Sequence, residues 1–164
     1  MPRKRLIAGM LLFLVPSLSA CGVGTPEVHN TETVNFYQTL ESVEGRQVRM
    51  TAGDVEVMIT LNDSQAAADF AGMLPLELSL IERNDFAKGM TLPRALTTAE
   101  ETTREYEIGD FGYWAAGPDL AIFYDDIYDQ TIVPVIPMGK AEQGAEDMRN
   151  TFGTVRLELV PETE

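Results

Sequence analysis

The sequence predicts a mainly β domain, a mostly antiparallel closed barrel of about eight short strands with two short helices. Three observations carry that expectation. Runs of strand length with period-two apolar alternation recur along the chain. Residues 109–126, GDFGYWAAGPDLAIFYDD, hold two apolar runs either side of Gly117-Pro118, the signature of a hairpin. Strands and helices do not alternate in a βαβ rhythm, which argues against a parallel doubly wound sheet. Closure into a barrel removes the exposed edges that invite aggregation.

The elements follow in order. Residues 46–51 and 54–61 alternate Val48 and Met50, then Val55, Val57, Ile59 and Leu61, with polar partners, so they read as a hairpin about Ala52-Gly53. Asn62-Asp63-Ser64 supplies N-cap oxygens for a helix over 65–74, whose apolar face is Ala66, Phe70, Met73 and Leu74. Pro75 stops it, and Leu76, Leu78 and Leu80 open a third strand running to about Arg83. Residues 84–101 lack a period and read as a long, partly ordered loop, the kind of segment that often carries binding residues. A strand over 102–108 with Tyr106 and Ile108 inward leads into the central hairpin. A strand over 131–138 follows, and Pro134 and Pro137 require it to sit at an edge or contain bulges. A short helix over 141–149 and a strand over 153–160, burying Val155, Leu157 and Leu159, complete the domain.

The N-terminus is of a different kind. Arg3, Lys4 and Arg5 precede an apolar run, residues 6–18, too short to cross a bilayer, and Leu18-Ser19-Ala20-Cys21 ends on the only Cys. That ending resembles a bacterial lipobox. The resemblance implies that residues 1–20 are a signal peptide and that Cys21 carries acyl chains such as palmitate. The mature protein would then stand in the cell envelope, lipid-anchored to a membrane and facing outside the cytoplasm. A plain secretory signal is the alternative. Residues 21–45, with Pro26 and the lone His29, read as a flexible tether of roughly 25 Å r.m.s. span, 46–160 as the barrel and 161–164 as a tail.

Charge narrows the partners. The chain carries 12 Lys and Arg against 26 Asp and Glu, a net −14. Removing residues 1–20 takes three bases and no acid, so the remainder is 9 minus 26, or −17. Such a domain repels nucleic acid and anionic head groups at long range, so membrane attachment must come through lipid on Cys21. Solubility alone accounts for most of this charge. A monomer is expected.

Residues 61–78, LNDSQAAADFAGMLPLEL, within the segment running on to Leu80, together with the 109–126 hairpin and the strand, helix and strand over 132–159, resemble the bacterial cyclophilin-like domains. The resemblance implies a closed barrel of about eight strands with a helix at each end. It implies no particular activity, because fold alone does not license function. Cyclophilins that act as prolyl isomerases carry a Phe-His-Arg segment. None occurs here, and His29 precedes the domain. Arg94, beside Pro93, is the best substitute donor for an imide, by chemistry alone; a surface Arg is the plainer reading.

Other chemistries find little footing. Without a His in the domain, no Ser or Cys is activated and no His-rich metal site forms. Asp125-Asp126-Ile127-Tyr128-Asp129 superficially matches a magnesium-binding DDxxD run, but it lies between strands and reads as a solvated acidic turn. No cofactor or metal is expected. Tyr113, Trp114, Phe123 and Tyr124 are the ligand-binding candidates, with Arg94. Strand alternation sends the members of each aromatic pair to opposite faces, so one of each pair is expected in the core and the other outward, lining a groove. Met73, Met90 and Met138 either adapt such a groove or fill the core. The expected function is a membrane-tethered, non-catalytic module for a small molecule or extended peptide. A divergent prolyl isomerase using Arg94 is the alternative.

Overall fold

The computed structural model describes residues 42–162. The expected signal peptide, Cys21, His29 and most of the expected tether lie outside the described residues. Strands β1 (Gln47–Ala52) and β2 (Val55–Leu61) pair antiparallel about Gly53, whose φ of +61° favours glycine. Residues just before β1 already pack on the barrel. Val43 is fully buried in the core, and the Gly45 N–H donates to the Leu61 carbonyl at 2.9 Å.

Helix α1 (Gln65–Ala71) starts where the cap residues place it. Ser64 Oγ accepts from the Ala67 N–H at 3.1 Å, and the Glu100 carboxylate accepts the N–H groups of Gln65 and Ala66 at 2.8 Å each. Asp69 ties the helix to the 92–100 segment by accepting from the Thr97 N–H and hydroxyl. Burial raises its pKa, but those Thr97 hydrogen bonds outweigh burial and hold the carboxyl below its usual range.

The third expected strand is divided at Leu80 into β3 (Leu76–Ser79) and β4 (Ile81–Arg83). β3 pairs with β9 (Thr154–Leu159) and β4 with β5 (Ala87–Thr91). With β6 (Asp110–Trp114), β7 (Asp119–Phe123) and β8 (Ile136–Ala141), these two pairings put β3 and β4 at opposite ends of the hydrogen-bonded order β3-β9-β1-β2-β8-β6-β7-β5-β4, although only Leu80 separates them in the chain. The sheet is therefore a nearly closed barrel of nine strands. Its central hairpin is β6 with β7.

Four expectations are corrected. Residues 84–101 contain β5, which pairs with both β4 and β7. Asn84 and Asp85, at φ +53° and +61°, form a primed-type turn in which the Phe86 N–H donates to the Arg83 carbonyl. Ala87, Lys88, Gly89 and Met90 are all buried, so the strand shows no alternation to read. Residues 102–108 form no strand beyond one bridge, Thr103 to Val135. β8 starts at Ile136, later than expected, and Ala141 ends it, so the second helix is only a 3₁₀ turn, Ala145–Asn150, with Ala145 and Met148 inward. Pro137 is tolerated inside the sheet at an irregularity. Phe111 faces Gly139 and Gly112 faces Pro137, leaving Met138 as the extra residue of a bulge.

The fourth correction concerns the hairpin. Alternation holds: Phe111, Tyr113, Leu120, Ile122 and Tyr124 join the barrel interior, while Ala121 and Phe123 lie in a separate outer cluster with Phe86, Ala87 and Val135. Yet Phe123 and Tyr124 are both buried, because each face of the hairpin has its own cover. Tyr106, from the segment expected as a strand, packs its ring 4.7 Å from Phe123 and 5.1 Å from Phe86.

Candidate functional site

The outer cluster is only partly roofed. Phe86 is its hub, and the loop following β7 folds over it, with the Tyr128 ring edge-on at 5.3 Å and the Tyr128 N–H donating to Tyr106 Oη at 3.1 Å. Beyond Tyr128 the same loop leaves Ile132 at 78% and Val133 at 37% exposure, and Tyr128 itself at 49%. Between this loop and the Asn84-Asp85 turn runs a groove of two adjoining depressions. One, of about 220 Å³, is lined by Glu82, Arg83, Asn84, Phe86, Trp114, Ile132 and Val133. The other, of about 260 Å³, shares Asn84, Phe86 and Ile132 and adds Tyr128 and Gln130. The groove combines an apolar, aromatic lining from Phe86, Trp114, Tyr128, Ile132 and Val133 with the polar side chains of Glu82, Arg83, Asn84 and Gln130, the mixture typical of a recognition surface.

Trp114 closes one end. It is the outward member of its pair and only half-buried, with the Arg83 guanidinium 5.6 Å from its ring centroid. Arg83 is held there by Asp119 at 2.7 Å. The indole N–H is shielded from solvent and has no hydrogen-bond partner.

The other sequence candidates are distributed elsewhere. Tyr113 is fully buried in the barrel, its hydroxyl accepting from the Leu96 N–H at 3.2 Å. Phe123 lies beneath the outer cluster and also borders a small cavity of about 80 Å³ with Tyr106, Glu105, Asp110 and Val135. Arg94 is exposed and donates to the carbonyls of Ala95 and Asp69 beside α1; it lines neither depression. Met90 and Met138 fill the barrel interior and Met73 packs against it, the gap-filling role. In the acidic run, Asp125 binds Arg149, whose hydrogen bond holds the carboxyl below its usual range. Among the described residues no cluster of three potential ligands gathers around a metal position.

Tyr124 belongs to a polar network inside the barrel near the 3₁₀ turn. Lys88, 1% exposed, donates to Glu82 at 2.6 Å; the Tyr124 hydroxyl donates to the other Glu82 oxygen at 2.8 Å. The Lys88 ammonium also lies 4.5 Å from the Phe152 ring centroid. Burial raises the Glu82 pKa, but the bonds from Lys88 and Tyr124 more than offset it and leave the carboxyl lowered. Burial first, then the Glu82 hydrogen bond, pushes the Tyr124 hydroxyl well above the ordinary phenol range. The network is satisfied by internal hydrogen bonds, while Glu82 keeps one side open toward the groove.

Of the residues expected from the sequence, Trp114 alone lines this groove; Phe86, Tyr128, Ile132 and Val133 were not among them. The available signals were Asn84-Asp85 as a turn and Ile132-Val133 as an apolar pair stranded in a polar loop beside Pro134.

A sequence profile of the Cyclophilin-like family matches residues 50–160. No curated protein matches the chain. Among solved structures, the chain is similar to the hypothetical protein AF2241 from Archaeoglobus fulgidus, with a TM-score of 0.61 and 19% identity over 74% of this chain and 98% of that one. It is also similar to McbB, whose structure was solved in complex with tryptophan, with a TM-score of 0.58 and 14% identity over 72% of this chain and 46% of that one. At these identities the likeness is one of fold.

Proposed function

The chain belongs to the Cyclophilin-like family, and on that premise we propose that it is a membrane-tethered, non-catalytic binding module. One observation carries this reading: the groove brings Trp114, Phe86, Tyr128 and Ile132 together as an apolar, aromatic strip open to solvent. A small molecule or an extended peptide is the occupant. Each depression has room for an aromatic or branched side chain, and McbB, of similar fold, has been solved in complex with tryptophan. The lipid on Cys21 supplies the anchor and residues 22–41 the reach, so that the groove samples the space beside the membrane. No observation favours the isomerase alternative, since Arg94 is engaged with α1 and lines neither depression.

Two measurements test this. In amide NMR spectra of the full chain, a library of short peptides and aromatic fragments is expected to shift residues 82–86, 114 and 127–133 together. Ile132→Glu should abolish those shifts; shifts scattered over the barrel, or unaffected by Ile132→Glu, count against the groove. For the anchor, labelling cells with an alkynyl fatty acid should mark the wild-type chain and spare Cys21→Ser. Equal labelling of both would refute lipidation at that residue.

A further inference from the structure

A second concavity lies apart from the groove. The cavity of about 80 Å³ beside Phe123 shares no lining residue with either depression. It lies where Gly112 of β6 meets the cover of the barrel at Val135. A Cβ on Gly112 would stand 2.3 Å from Val135 Cγ1, so this close approach requires glycine. The lining divides by chemistry. The rings of Tyr106, Phe111 and Phe123 supply its apolar part, and two carboxylates, Glu105 and Asp110, supply its charge. No base lines it. The neighbouring bases are committed elsewhere: Arg104 donates through Nε to the Thr131 carbonyl at 2.7 Å, and Lys140 serves Glu107 at 2.5 Å and Asp110 at 3.4 Å. Glu105 has no ion pair among the described residues. Glu105, Glu107 and Asp110 therefore have one ammonium between them, and both carboxylates in excess of it belong to the cavity and its mouth.

Carboxylates beside aromatic carbon suit a cation and reject an anion. The rings attract positive charge through their quadrupoles, and the carboxylates supply the counter-charge. Size and hydration narrow the choice. At about 30 Å³ per water, the cavity has room for about two to three waters, or for one ammonium head with a few carbons. A primary ammonium is a compact, strongly hydrated charge that loses water against rings unable to accept its full set of hydrogen bonds. Methyl groups spread the charge and meet the rings by dispersion contact. We propose that this cavity binds a methylated ammonium head group, with Tyr106, Phe111 and Phe123 against its methyls and Glu105 and Asp110 facing its charge.

The probes are choline, its uncharged isostere 3,3-dimethyl-1-butanol and its unmethylated counterpart ethanolamine, titrated into the full-length protein and read from amide NMR shifts. Choline is expected to shift residues 103–106, 110–112 and 135–139. It should bind about tenfold more tightly than either analogue, about the worth of partly exposed cation–ring and carboxylate contacts. The double variant Glu105→Gln, Asp110→Asn keeps both side-chain shapes and an oxygen to accept the Glu107 N–H. With its amide spectrum still that of the folded protein, it should bind choline and the butanol within about threefold of each other. Choline no tighter than the butanol, or a preference retained in the double variant, overturns the charge reading. Ethanolamine tighter than choline overturns the methylated head, and no shift at the cavity with any of the three overturns the site. Each of these results leaves the groove, tested at other residues, standing.

Discussion

Lys88 and Glu82 form an unequal pair, and removing one should not cost what removing the other does. The Lys88 side chain is 1% exposed and that of Glu82 37%. In Glu82→Gln the ammonium stays in the barrel without a counter-charge, the situation that typically costs about 3–5 kcal/mol. The partial exposure of Glu82 lets water reach the site, so the lower end, about 3 kcal/mol, is expected. In Lys88→Met the remaining carboxylate keeps the Tyr124 hydroxyl, the Arg83 N–H at 3.0 Å and access to solvent, while an apolar chain of similar length fills the same space. That change should be close to neutral, within about 1 kcal/mol of wild type. Urea unfolding of the full chain reads both. With a slope near 2 kcal/mol/M, the midpoint of Glu82→Gln should fall by about 1.5 M and that of Lys88→Met by less than about 0.5 M. Acid supplies a second check. The Glu82 pKa is lowered by folding, so its contribution is present above the unfolded value of 4.5 and is lost as pH falls through the folded one. The gap between wild type and Glu82→Gln should therefore narrow below about pH 4.5. A Lys88→Met variant that loses as much as Glu82→Gln, or a gap that widens in acid, would refute the reasoning.

Three further outcomes are expected. Phe86→Ala, which removes the ring that Tyr106, Phe123 and Tyr128 all pack on, should destabilise by about 3–4 kcal/mol in urea unfolding and broaden the amide signals of residues 127–133. Gly139→Ala would set a Cβ 2.4 Å from the Thr60 carbonyl oxygen, a backbone atom that cannot step aside, so a loss of at least about 2 kcal/mol is expected from the same measurement. Ser64→Ala deletes the α1 cap and should lose only about 1 kcal/mol, because Glu100 still accepts two N–H groups of the first turn.

What the sequence alone determined follows from local physics. The β1–β2 hairpin, the Ser64 cap, the 110–123 hairpin and the last strand were legible because alternation, caps and turn residues act within a few residues of one another. The opposite orientations of Tyr113 and Trp114 were legible for the same reason. What lies over each face of a strand is not local. β5 escaped notice because it is covered on both sides, erasing the period that marks a half-buried strand. The segment 102–108 alternates like a strand but is a lid, Tyr106 being held by Phe86 and Phe123 from distant strands. That lid buries Phe123 on the outer face of the hairpin, so both members of the Phe123–Tyr124 pair are covered. Only the tertiary structure decided that Trp114 stays half-open beside Phe86, Tyr128 and Ile132, because the groove is made by a turn and a loop more than forty residues apart in the chain, brought together by pairing β5 with β7.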